Sequence, residues 1–507
     1  MLFAYKTKNT RPTMNTTPST ASNQASVFSN VNAPAGMIAL PSCLKGFRQT
    51  GVDVEHVARN EGTKANPYIH STKEYRITGF CESSDELQIC PECGAPLHRH
   101  GSFYTNLRHV PIGGCYSLMN VRRDRYRCSN PECKYCKSEA INFKSAGHMI
   151  TKPLKNQTEN LLAFGLTLKE VSHLTGLHKN IVKDIDKARL EKLYTEPGKD
   201  GTKVLIKPET QARYLGIDEF KLHDGYRFAT QIMDMETGCI LWLQAGKKKK
   251  VVYDFIEHVG LEWMSKVEAV SSDMNSDFSE AFLDKCPHLK IVYDYFHIVK
   301  NFNDKVVSAV RKDEQKRLIE KGDIEGAKSL QRGKYILMSN LDTLRAKDEE
   351  AKAGKVIRKG SELFKTEPVE RKDFQLYRRY KLTGQNWLLF QADYVRDAIT
   401  TAYRQQDTEA MRVKVKDIIS YCRIDGNEHF MWFARLLENH LEGIVSHAKY
   451  PLSNGKVEGV NQKIKTIRRK SYGLPDDEYF FLKLFDATRQ RWKSQIGNDL
   501  GEHKNLD

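Results

Sequence analysis

The sequence predicts a multidomain α/β protein, in which a mixed sheet covered by helices follows two smaller domains. Three observations predict it. Two cysteine knuckles, Cys90-Pro91-Glu92-Cys93 and Cys128-Ser129-Asn130-Pro131-Glu132-Cys133, mark a metal module. From about residue 210, strand-like apolar runs alternate with stretches of amphipathic helical spacing. Near the C-terminus a basic segment holds a single carboxylate, Glu458, among Lys456, Lys463, Lys465, Arg468, Arg469 and Lys470.

Composition narrows the class. A chain of 507 residues has room for roughly three or four domains. Its net charge of +16 points to a polyanionic partner, nucleic acid or a membrane surface. No apolar run approaches the ~20 residues that cross a bilayer, and no apolar core follows the basic residues of the N-terminus. A soluble intracellular protein is expected, with no membrane partner. In that setting eleven cysteines read as metal ligands and buried thiols rather than disulfides.

The elements follow in order. Residues 1–45, rich in Ser, Thr, Asn and Ala, read as a flexible tail. A cysteine-rich block spans 80–145 and a helical block 150–195, followed by the linker Glu196-Pro197-Gly198-Lys199-Asp200-Gly201. Tyr214-Leu215-Gly216-Ile217-Asp218 is a buried strand that Asp218 ends. Tyr226, Phe228, Thr230 and Ile232 share one face of the next strand, and Thr237-Gly238 turns into a third at Cys239–Leu243. Lys247–Lys250 reads as an exposed turn that could contact phosphate, and Val252, Phe255, Ile256, Val259 and Trp263 recur at helical spacing. Val267–Ser272 and Lys290–Tyr293 are core strands, each leading into an aspartate, Asp273 and Asp294. Residues 301–445 read as charged and all-helical.

The knuckles suit a zinc ribbon. Two thiolates three positions apart can share one tetrahedral ion, and turn N–H groups stabilise the sulfur charge. Cys90, Cys93, Cys128 and Cys133 are the expected ligands of one structural Zn²⁺. Cys136 competes with Cys133 for the fourth place, and His98, His100 or Cys115 could substitute.

The helical block reads as a helix-turn-helix. Thr167 and Glu170 form a capping box, Val171 and Leu174 face the core, Gly176 makes the turn, and Ile181 and Ile185 anchor the second helix. His178, Lys179, Asn180 and Lys183 would then face a major groove; the plain alternative is an ordinary helical hairpin.

Asp218 and Asp273 at the ends of neighbouring strands, with Glu458 from a helix, could hold two divalent ions about 4 Å apart. Lys463, Lys465, Arg468 and Arg469 on the same helix would hold a phosphate backbone. The bland reading of that helix is a capped amphipathic surface helix begun by Asn454 and Gly455. Asp294, in Asp294-Tyr295-Phe296-His297, is a neighbour of the site or the cap of the helix that follows, and His297 is a second neighbour.

On these residues the chain resembles transposases of the ISL-three insertion-sequence family, bacterial zinc-finger proteins with a DDE catalytic domain. The matching segments are the Cys-Pro-Glu-Cys-Gly knuckle, the Arg-Tyr-Arg-Cys-Ser-Asn-Pro-Glu-Cys knuckle, Leu215–Phe220, Ser272-Asp273-Met274, Asp294–Val299 and Ser453–Gly459. The resemblance implies a ribonuclease-H-like core at 210–300 plus 446–495, a helical insertion at 301–445, and Asp218, Asp273 and Glu458 as the triad. It implies Mg²⁺ or Mn²⁺, two per site, for cleavage of element ends and strand transfer. The partners would be double-stranded DNA, as terminal inverted repeats and target, and a second copy of the chain in a homodimeric synaptic complex. The place of action would be the bacterial cytoplasm, on the nucleoid through DNA. Cys136 and the tail depart from the family pattern. Two other readings compete: a transposase-derived DNA-binding regulator without chemistry, and a recombinase acting through Tyr450 near His447 and Lys449.

Overall fold

The computed structural model describes residues 44, 46–60, 66–81, 89–223, 227–274, 276–384, 386–453, 455–471 and 476–489. The expected tail (Leu44 aside), Tyr226 and Asn454 lie outside these described residues. The chain divides into two compact units, Met1–Asp186 with Lys493–Asp507, and Lys187–Trp492.

The first unit contains a five-stranded sheet. Strands β1 (Phe47–Asn60), β2 (Ile69–Cys81), β3 (Leu97–Ile112) and β4 (Cys115–Cys128) take the order β1-β2-β4-β3, and β5 (Cys136–Ser138) pairs with β4. The β3–β4 hairpin turns at Gly113 and Gly114, φ 56° and 79°, because a two-residue turn that matches strand twist needs both central residues left-handed. Along β4, Ser117, Met119 and Val121 alternate inward, and the two apolar ones pack with Ile77, Leu107, Ile141 and Phe143. The cysteine-rich block expected at 80–145 is therefore the later part of a sheet that starts upstream, at Phe47.

Three helices follow: α1 (Lys152–Ala163), α2 (Leu168–Thr175) and α3 (Lys179–Tyr194). Thr151 caps α1, and Thr167 with Glu170 closes the capping box of α2 in both directions. Their shared core is Ile150, Leu154, Leu162, Val171, Leu177, Val182 and Ile185. Two sequence expectations change here. Leu174 is exposed and Thr175 takes the inward place; Val182, not Ile181, is fully buried beside Ile185. Gly176 ends α2 at φ 71°, and a Cβ there would lie 2.7 Å from the Tyr116 ring, whose hydroxyl donates to the His173 carbonyl at 2.5 Å. The turn between α2 and α3 is thus held against β4.

The second unit starts with a small pair, β6 (Thr195–Pro197) and β7 (Lys203–Leu205). Its main sheet contains β8 (Tyr214–Lys221), β9 (Phe228–Asp234), β10 (Ile240–Ala245), β11 (Ala269–Ser272) and β12 (Lys290–Tyr293), in the order β10-β9-β8-β11-β12. The first three form an antiparallel meander, while β11 runs parallel to both β8 and β12. Asp218 lies inside β8 rather than at its end, since β8 continues to Lys221. Helix α4 (Lys249–Val259) begins within the Lys247–Lys250 run, so that run is a helix start, not only a turn. Gly260 breaks the spacing, and Trp263 falls in a separate short helix, α5 (Leu261–Met264). Helix α6 (Ser276–Lys285) links β11 to β12.

After β12 come α7 (Tyr295–Phe302), a π turn (Asn303–Val307), α8 (Ser308–Glu320), α9 (Ile324–Arg332), α10 (Lys334–Leu337) and α11 (Leu341–Lys352). A two-stranded hairpin follows, β13 (Val356–Arg358) with β14 (Val369–Glu370), so the 301–445 segment is not all-helical as expected. Both of its strands are exposed, so apolar alternation gave them no signal. Helices α12 (Gln375–Thr383), α13 (Trp387–Tyr403), α14 (Thr408–Cys422), α15 (Glu428–Asn439) and α16 (Leu441–Val445) complete the segment. Their buried residues join the sheet's in one continuous core, from Ala212 and Leu215 through Phe302 and Val395 to Phe433 and Val445. Last come α17 (Gly455–Lys470) and α18 (Asp477–Thr488).

Replacing Gly176 with Ala should cost about 1–3 kcal/mol, combining left-handed strain with the clash against Tyr116. Gly147, at φ 82° with open space around it, offers the control, because Ala there meets only the strain. Chemical denaturation should therefore rank Gly176→Ala as clearly the more damaging. Equal losses would remove Tyr116 from the account.

Candidate functional site

Three carboxylates from three separated segments line one cavity of about 960 Å³: Asp218 from β8, Asp273 just after β11, and Glu458 from the first turn of α17. Local structure explains the first two. The parallel ladder ends by pairing Ser271 with Gly216, and Asp273 and Asp218 lie two residues beyond on their chains. Glu458 arrives because Val457, Val460 and Ile464 bury one side of α17, leaving its neighbours to face the cavity. Val457 packs onto Gly216, where an added Cβ would lie 3.0 Å from the valine methyl and 2.4 Å from the Met235 sulfur. A larger residue there would have to displace Met235 and Val457.

Cations and histidines complete the lining: His297 and Lys300 from α7, Lys305 from the π turn, His440 beside α16, and Lys465 two turns past Glu458. Asp304 adds a fourth acid to the wall. Burial pushes the Asp218 carboxyl above the usual carboxylate range and Asp273 adds to the rise; the Glu219 N–H, the Asn461 amide and His297 pull it back. Asp218 accepts from the Glu219 N–H at 2.8 Å and from Asn461 Nδ2 at 2.6 Å. Asn461 Oδ1 accepts in turn from Gln231 Nε2 at 2.9 Å, and Gln231 is the cross-strand partner of Asp218.

Sequence reasoning did not single out Asn461 or Gln231. Asn461 follows Glu458 by three positions, which puts both on one helix face. Gln231 is one of three buried polar residues of β9, with Thr230 and Asp234. Of the two neighbours expected, His297 lines the cavity and Asp294 does not. Asp294 stands at the N-cap of α7, buried, without a side-chain bond to the helix, so it is not a helix cap in the hydrogen-bonding sense. The basic residues of α17 divide. Lys465 faces the cavity and Arg469 is exposed, whereas Lys463 donates to the Ala487 carbonyl and Arg468 donates to the Lys221 carbonyl at 2.6 Å while lying over Phe480. Lys463 and Arg468 thus anchor the helix within the unit.

In the first unit, Cys90, Cys93, Cys128 and Cys133 place their four sulfurs within 4.8 Å of one another. Cys136 is not in the cluster; it pairs along β5 with Arg127, and the cluster also omits His98, His100 and Cys115. The N–H of Ala95 holds the Cys93 thiol down to about 7, and the N–H groups of Asn130 and Tyr135 point at the sulfurs of Cys128 and Cys133. Four thiolate donors closing on one point, each knuckle served by backbone N–H groups, fit a structural zinc with no open position. Among the groove candidates, His178, Lys179 and Asn180 are exposed at the start of α3, with His178 Nδ1 accepting from the Asn180 N–H at 3.2 Å; Lys183 is half-buried.

Purified without chelator, the protein should carry one zinc per chain by elemental analysis. Cys93→Ser should lose it and loosen the knuckle, while the second unit keeps its thermal transition. Zinc-free wild-type protein would refute this.

The ISL3 family of transposases matches residues 215–484, more than half of the chain, and spans every acid that lines the cavity. The transposase for insertion sequence element IS1001 of Bordetella parapertussis is 26% identical over 406 residues, covering 80% of this chain and 90% of that protein. The transposase for insertion sequence element IS1557 of Mycobacterium tuberculosis is 23% identical over 284 residues, 52% of this chain and 57% of the relative. With the first of these relatives aligned over nearly its full length and the family matched across the whole acid-lined core, the chain belongs to the ISL3 family of insertion-sequence transposases.

Proposed function

We propose that this transposase binds the ends of its insertion sequence and catalyses metal-dependent DNA cleavage and strand transfer at the Asp218–Asp273–Glu458 cluster. The observation that carries the reading is the convergence of three carboxylates, more than 180 residues apart at the widest gap (Asp273 to Glu458), on one cation-rimmed cavity. The sheet order supports a ribonuclease-H-like core: a three-stranded meander, then two parallel strands, with acids on the central pair.

An all-oxygen donor set of carboxylates fits Mg²⁺ or Mn²⁺ better than a soft metal. Bound as a pair, such ions stabilise the attacking and leaving oxygens of a phosphodiester in an in-line displacement. The chain's own residues do the rest. Asp218, Asp273 and Glu458 would hold the two ions; Lys300, Lys305 and Lys465 would neutralise the phosphates on either side of the scissile bond. His297 stands where it can orient a water or a terminal hydroxyl. The zinc-bearing sheet and the α1–α3 segment would recognise the ends as zinc ribbon and helix-turn-helix, with Lys179 and Asn180 at the base edges. A homodimer would bring two ends together in the synaptic complex.

The regulator reading leaves the acid cavity without a purpose. The tyrosine-recombinase reading gains no support, because Tyr450 packs edge-on against Tyr214 and beneath Lys449 and is not part of the cavity wall. No helix among the described residues is long and apolar enough to cross a membrane.

Glu458→Gln keeps shape and hydrogen bonding but removes charge, so divalent-dependent cleavage of end-bearing DNA should fall roughly 100-fold or more, with end binding retained. Near wild-type cleavage would reject the triad. Changing Lys179 and Asn180 together to Ala should cost about 1–3 kcal/mol of preference for cognate ends over random duplex. Competition binding at fixed salt reads this directly, and an equal loss on both DNAs would reassign the two residues to backbone contacts.

A further inference from the structure

The strand carrying Asp218 and the helix carrying Glu458 are joined by one polar bridge beside the cavity. We infer that Asn461 is a positioning residue, with Gln231 behind it, that fixes the Asp218 carboxylate and sets its spacing from Glu458. The inference rests on the metal-site reading above.

The polarity of the bridge follows from chemistry. An ionised carboxylate only accepts, so Asn461 must present Nδ2 to Asp218 and is left with Oδ1 on its other side. Gln231 must then present Nε2 to that oxygen. The remaining Gln231 atom, Oε1, is buried with no partner among the described residues, although Gln231 is fully enclosed. An orphaned buried acceptor normally costs about 1–3 kcal/mol. Such an orientation persists here because turning the Gln231 amide would set its oxygen against Asn461 Oδ1, and turning Asn461 as well would set Oδ1 against the Asp218 carboxylate.

The geometry gives the bridge its purpose. With the Glu219 N–H on Oδ1 and Asn461 on Oδ2, both carboxylate oxygens are tethered, so Asp218 is held in one rotamer while each oxygen retains lone-pair capacity toward the cavity. Asn461 lies three residues past Glu458 on α17, so the same bond draws the helix onto β8 and limits how far Glu458 can drift. Outer partners of this kind typically hold 10–100-fold in metal affinity.

The test uses full-length protein and Mn²⁺ as the probe, with binding followed by electron paramagnetic resonance or calorimetry. Asn461→Ala should weaken Mn²⁺ binding about 10-fold or more, with a cooperative, modestly lowered thermal transition and end-DNA affinity kept. Cleavage lost at low Mn²⁺ should return as Mn²⁺ is raised, which a folding defect would not allow. Mn²⁺ affinity within twofold of wild type overturns the inference, provided Asp218→Asn loses Mn²⁺ in the same assay. If Asp218→Asn binds Mn²⁺ like wild type, the metal-site reading itself has failed. Should Asn461→Ala unfold, Gln231→Met removes only the outer donor: a smaller weakening in the same direction supports the bridge, and unchanged affinity overturns it.

Discussion

Everything in the candidate active site depends on α17 seating on β8. The acids on the sheet come together through a parallel ladder of a few residues. The third has no such guide, since its helix comes after the long helical segment that intervenes in the chain. Two contacts of different kinds dock it. Val457 lies against the bare backbone of Gly216, and Val460 and Ile464 continue that buried stripe. Burial of side chains of this size is worth about 1.5–3 kcal/mol each, enough to place a helix but indifferent to rotation by a few degrees. The amide of Asn461 against Asp218 supplies the directional part.

The intervening segment is bound to the sheet by the same logic. Its helices share a single apolar core with β8, β11 and β12 rather than forming a core of their own. Arg379, fully enclosed, ties α12 to α13 through Asp393 and Asp397 and donates to the Ser339 carbonyl at 2.9 Å. A buried guanidinium demands several partners at once, which restricts how these helices can pack. The segment and the sheet strands that carry Asp218 and Asp273 are therefore packed as one body.

Charge is spent in two ways. A net +16 suggests a uniform coat of cations for a polyanion, but the individual side chains differ. Lys456 donates to the Glu236 carbonyl, and Lys463 and Arg468 likewise bind backbone oxygens, closing the ends of α17 onto neighbouring elements. Lys300, Lys305 and Lys465 face the acid cavity instead. Within α17, basic residues thus either bind backbone oxygens of neighbouring elements or face the cavity, according to helix face.

How much of this was legible in the chain differs by kind of signal. Local chemistry was legible. The capping box at Thr167 and Glu170, the turn at Gly176, and the knuckles at Cys90-Cys93 and Cys128-Cys133 depend on residues a few positions apart, and the structure has each of them. The strand runs at Leu215, Val270 and Ile291 were likewise readable, because strands buried on both faces must be continuously apolar. The choice of Cys133 over Cys136 was not legible, since both lie within reach along the sequence and only the pairing of Cys136 into β5 removes it. Nor was the exposed β13–β14 hairpin, which buries nothing and so leaves no alternating pattern. The bond from Asn461 to Asp218, the contacts of Lys463 and Arg468 with distant backbone carbonyls, and the close packing at Gly216 were decided by tertiary structure alone. Each is a contact between residues more than ten positions apart in the chain, and a chain read one residue after another does not carry the distances that such contacts require.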